Sequence, residues 1–245
     1  MKKIFFAMAF STLMLSSLTV LAQTQSHEDL LKELATKRAE LSKLEKAVTE
    51  LEKALLFPTE KDRAAYANFL RQPDTGLIRL LPRETYDGRN FEGITLRGGG
   101  AYYSFKERTN EYVNSSDISL EQGQLITGFA GANYGLLANL GEVPLETLSL
   151  EAVAARTLAQ YSPAPDEPHA RIEQRRMNEG ATINGVSYKN RQNLQLNSTY
   201  VLRSVNYQAS DTLVAFRVVR VDSDKSALIL WKLLKQYPTP SLARN

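Results

Sequence analysis

The 245-residue chain has no cysteine, only two histidines and one tryptophan. Without thiols there is no disulfide scaffold, thiolate metal site or cysteine nucleophile, so apolar burial must hold the fold together. His27 and His169 lie far apart, and neither belongs to an HExxH or paired-histidine pattern. No G-x-S-x-G elbow is present, so a serine hydrolase would have to recruit His169 from beside Pro163, Pro165 and Pro168. An excess of charge is missing too. The formal +3 includes Lys2 and Lys3; without them 28 Lys and Arg face 27 Asp and Glu, a balance of +1. The one Arg-rich stretch, 171–176, is interrupted by Glu173 as on a solvated helix face, so nothing here marks a nucleic-acid binder.

Only one apolar run is long. Lys2 and Lys3 precede residues 4–21, where five hydroxyl side chains dilute the hydrophobic stretch, and Val20-Leu21-Ala22 offers small residues at a peptidase site. This layout predicts a signal peptide over 1–22, cleaved after Ala22, rather than a retained membrane anchor. No cysteine follows for lipidation. The short two-lysine start fits a bacterial signal, and the expected location is periplasmic or secreted.

The segment after the signal peptide is heptad-patterned. Leu30, Lys37, Leu44 and Leu51 form one series and Leu34, Leu41, Val48 and Leu55 the other, so seven of eight seam positions are apolar over a long helix within 23–57. A seam this narrow suits a partner helix better than a broad globular core, and Glu–Lys pairs three and four apart support the helix surface. Self-association through Leu30, Leu34, Leu41, Leu44, Val48, Leu51 and Leu55 is the expectation. The alternatives are a helix lying on its own domain and an adaptor for another helical protein.

Residues 58–240 read as one α+β domain. Pro58 ends the long helix, and Thr59 with Asp62 predicts an N-cap for a short second helix through Phe69 and Leu70. Residues 77–81, 94–105, 124–129 and 134–140 read as strands, and 150–161 as a helix behind Ser149. The three prolines beyond it read as a stiff connector. The β-rich runs 199–206, 213–221 and 227–234 have short connections, which predicts an antiparallel meander within 199–236. Apolar residues occupy both faces of its middle run, which makes that strand central and covered on both sides.

Chemistry is sparsely encoded. Asp222 to Ser226 resembles the start of a calcium loop, but Ala227 replaces the sharp-turn glycine and Leu233 stands where the terminal acid belongs, so it reads as a hairpin turn. The glycines at 128, 131 and 135 match no phosphate-loop spacing and read as turns. Carboxylate pairs such as Glu84 with Asp87, or Asp117 with Glu121, are the raw material of a glycosidase-like hydrolase, which needs two acids across a cleft. The most unusual segment is Arg97 followed by Gly98, Gly99 and Gly100, then Ala101, Tyr102 and Tyr103. Three glycines in a β pattern mark a bend or a close backbone approach. Arg97, Gly99, Tyr102 and Tyr103 are therefore the candidate ligand-binding residues, for a small polar or carbohydrate-like ligand, with one of the two tyrosines facing it; no metal or cofactor is called for. The combined expectation is an exported, non-catalytic binding or structural module, with a carboxylate-based envelope hydrolase as the alternative.

Overall fold

A computed structural model describes residues 26–86 and 94–243. The signal-peptide segment lies outside the described residues. The chain divides into two compact units, one ending at Ala47 and the other running from Val48.

Helix α1 (His27–Leu56) spans both units. Ser26 opens it, its hydroxyl accepting the Asp29 N–H at 3.1 Å. The seam side chains from Leu30 to Leu55 are exposed, Leu44 at 64% and Leu51 at 68%. Lys37 pairs with Glu40 and Lys53 with Glu50, as helical spacing allows.

In the second unit, α2 (Glu60–Ala65) begins with a full capping box: Thr59 accepts from the Asp62 N–H, and the Asp62 carboxylate accepts from the Thr59 N–H. A break at Tyr66 separates it from α3 (Ala67–Leu70). The chain continues through β1 (Thr75–Leu80), α4 (Arg83–Tyr86), β2 (Tyr102–Tyr103), β3 (Ile118–Glu121), β4 (Gln124–Ile126) and β5 (Tyr134–Asn139). Next come α5 (Val153–Gln160), α6 (Glu167–Glu179), β6 (Ala181–Ile183), β7 (Val186–Tyr188) and β8 (Arg191–Asn193). It closes with β9 (Thr199–Asn206), β10 (Ser210–Val221) and β11 (Ala227–Gln236).

The fold is α+β. Its main sheet runs β1-β11-β10-β9-β5, entirely antiparallel, with β10 at the centre. Val214, Phe216 and Val218 of β10 pack with Phe105, Ile118, Leu120 and Leu125 from the side of the smaller sheet β2-β3-β4-β8. On the opposite face, Leu213 packs among Ala155 and Leu158 of α5, and Ala215 among Phe69, Leu145 and Leu148. The sheet is therefore covered on both sides, which explains the doubly apolar middle run. Gln208 and Lys225 take positive φ in the two hairpin connections.

Four sequence expectations need correction. Residues 94–105 do not form one strand: Gly98, Gly99 and Gly100 all have φ between 60° and 86°, and only Tyr102–Tyr103 pair as β structure. Positive φ at three successive residues is incompatible with the extended backbone a ladder requires. The helix expected behind Ser149 starts later, at Val153; Ser149 instead accepts the Glu151 N–H, and Ala152 at the N-cap has no side-chain bond to offer. Pro168 is not in a connector but in the first turn of α6, where its missing N–H costs nothing, behind Asp166 capping the His169 N–H. The short strands β3, β6, β7 and β8 add to the expected set, because three or four residues carry too little periodicity to be read from sequence.

Candidate functional site

The end of α1 is fastened to the glycine-rich loop. Glu52 accepts from the backbone N–H of Thr95 at 2.6 Å and from its hydroxyl at 2.8 Å. Leu56, buried with Leu81 and Ile94, occupies the space where a side chain on Gly100 would stand. A Cβ on Gly98 would lie 2.6 Å from the Tyr102 ring. The close approaches made at Gly98 and Gly100 are thus to the chain's own Tyr102 and Leu56. Gly99 is buried at φ 60°, its N–H donating to the Leu96 carbonyl at 2.8 Å.

Beside this loop lies a cleft of about 560 Å³, lined among others by Lys53, Phe57, Leu96, Arg97, Arg108 and Glu111. A second cavity of about 310 Å³ shares Phe57, Arg108 and Asn110 with it and reaches Tyr103, Gly76 and Trp231. Asn110 pins the 108–111 segment to β1 by donating to the Arg79 carbonyl at 2.7 Å. Gly76 faces Trp231 across the β1–β11 ladder, and any side chain there would run into the indole, with a Cβ only 2.5 Å from its ring. The glycine is what lets a tryptophan occupy this register.

The guanidinium groups are placed by aromatic faces. Arg97 sits 4.8 Å from the Tyr112 ring centroid and Arg108 5.7 Å from that of Trp231. Arg108 also meets Asp74 at 3.3 Å on the surface, whereas Arg63 and Arg97 have no carboxylate partner among the described residues. The Trp231 side chain is buried, and its indole N–H finds no acceptor in hydrogen-bond geometry. Burial pushes the Tyr103 phenol up to about 12, against the pull of Arg108 and of the neighbouring Trp231 N–H.

The four residues singled out from sequence therefore separate. Arg97 lines the cleft, Tyr103 the inner cavity, and Gly99 shapes the loop. Tyr102 points to the other side of its strand, packing edge-on to Tyr112 and Phe129, with Arg83 over its ring. Phe57, Arg108, Asn110 and Trp231 escape sequence reasoning. The lone tryptophan is the available signal, but in a β-rich run it reads as core.

The carboxylate pairs singled out from sequence do not line this cleft. Asp117 is wholly enclosed between the sheets, accepting from the Phe105 N–H at 2.7 Å, the Asn206 amide at 3.1 Å and the Thr212 hydroxyl at 3.3 Å. Burial raises its pKa to about 7, while the Ser204 hydroxyl and those donors pull it down. Glu121, at the far end of β3, instead meets Arg83 at 3.1 Å, and Glu84 accepts the Gln122 N–H; Asp87 lies outside the described residues. The acids of the Asp222–Ser226 turn are engaged by the chain itself: Asp222 by Arg79 and Arg220, and Asp224 by the Tyr86 hydroxyl at 2.8 Å. His169 is exposed against Asp166, the residue that caps α6. Among the described residues no three His, Asp or Glu side chains converge as a metal site would require, and no helix is long and apolar enough to cross a membrane.

Comparison with protein-family models, with curated proteins and with solved structures finds no match to this chain.

Proposed function

We propose that this chain is an exported, non-catalytic binding or structural module of the bacterial envelope that self-associates through its N-terminal helix. The observation that carries the reading is the state of the α1 seam: Leu30, Leu34, Leu41, Leu44, Val48, Leu51 and Leu55 are each at least 42% exposed. Burying one leucine fully contributes about 1.5–3 kcal/mol. Seven half-exposed positions per chain therefore supply on the order of 10 kcal/mol gross, enough to offset a large part of the freedom lost on association. The helix is also compatible with its own copy in charge. Residues 27–56 hold seven acids and six Lys or Arg, so neither sign dominates the flanks.

Lys37 interrupts the seam and would fix the register of the pair at some cost in stability. Of the two carboxylates that line the cleft, Glu52 is tied to Thr95, which leaves Glu111 alone and favours a binder over a hydrolase, since a glycosidase needs two acids across its substrate. Light scattering on the mature protein tests the assembly. The parent is expected to be oligomeric at tens of micromolar, about the range of weak association, and Leu44→Asp to be monomeric with the second unit still folded. A parent already monomeric at that concentration would overturn self-association.

A further inference from the structure

The cleft between the end of α1 and the 94–111 region has the ingredients of a ligand site. Its volume of about 560 Å³, with the adjoining 310 Å³, lies in the range of small-molecule pockets. Leu56, Phe57 and Leu96 give its walls an apolar character. Glu52 is already committed to Thr95 and Lys53 to Glu50, and Arg108 has only an exposed contact with Asp74, so Arg97 remains without a carboxylate among the described residues of the cleft, with Glu111 at the rim, while Arg63 lines the adjoining cavity. Trp231 marks the inner end of the site: its side chain is 2% exposed, lines the inner cavity and lies under the Arg108 guanidinium.

We infer that the cleft binds a small amphipathic anion, its acid head held by Arg97 and Arg108 and its apolar body lying against Leu56, Phe57 and Leu96. An uncharged ligand would leave the guanidinium groups unanswered, and a wholly polar one would leave the walls at Leu56, Phe57 and Leu96 unfilled. The inference rests on reading the second unit as a binder. It does not depend on assembly through α1.

Trp231 is the single tryptophan, so its emission reports on this cavity alone. Titration of the mature protein with decanoate, below its micellar concentration, should shift that emission saturably, with 1-decanol at least about tenfold weaker. Arg97→Gln and Arg108→Gln should each weaken decanoate about tenfold while leaving decanol binding and the thermal midpoint near those of the parent. Light scattering in the same samples reads assembly separately, so a failure of the α1 proposal is distinguishable from a failure here. No saturable change with decanoate, equal responses to decanoate and decanol, or parent-like decanoate binding in both variants would overturn the inference.

Discussion

Asp117 should make this protein less stable as the pH rises towards neutrality. The carboxyl is fully enclosed, and burial raises its pKa from 3.8 to about 7 in the folded chain. Between those values the folded state keeps a proton that the unfolded state has released. Stability follows the difference in bound protons, so it falls with increasing pH through this window and levels off above about 7. The displacement of about three pH units corresponds to at most about 4 kcal/mol, a little over 1 kcal/mol per pH unit. The donors from Phe105, Asn206 and Thr212 limit the loss by serving the charged form once it appears. Asp62 does not interfere, because Arg220 holds its carboxyl far below the window. Urea midpoints measured at pH 5, 6, 7 and 8 give the slope directly. Asp117→Asn cannot titrate and should flatten it, whatever its absolute stability. A flat profile in the parent, or the same slope in the variant, would refute the argument.

Asp211→Ala should cost about 3–5 kcal/mol in chemical unfolding, because it strands the Arg203 guanidinium, which is 1% exposed and bound to both carboxylate oxygens. Gly100→Ala should lower stability by about 1–3 kcal/mol, since φ is 70° and the new methyl group would displace Leu56. A thermal melt equal to that of the parent would contradict the packing described there. Asp166→Ala should cost about 1 kcal/mol through loss of the α6 cap, measurable by the same melt. Intact-mass analysis of protein from its native host should find a mature chain beginning at Gln23; a species retaining Met1 in the membrane fraction would refute cleavage.

Local chemistry made the long elements readable. The seam from Leu30 to Leu55, the Thr59–Asp62 cap and the three C-terminal strands each arise from side chains a few residues apart, where helical or alternating periodicity has room to repeat. The centrality of β10 was legible for the same reason, since apolar residues on both faces require two covers. The glycine triplet announced an irregular backbone, but not what approaches it. Whether Leu56 or a ligand fills the space beside Gly100 depends on a chain segment distant in sequence.

The cleft is a tertiary product in the same sense. Phe57 directly follows α1, Arg97 comes from the loop, Arg108 and Asn110 from the segment beyond β2, and Trp231 from β11. No short-range pattern links them. Trp231 fits only because the β1–β11 register sets Gly76 opposite it, and Asp117 is enclosed only because two sheets close over it. Composition and periodicity determined which elements form and which faces they bury. Strand register and the docking of distant loops decided where the cavities, the guanidinium groups of the cleft and the buried acid came to lie, because those depend on contacts that carry no signature in the neighbouring sequence.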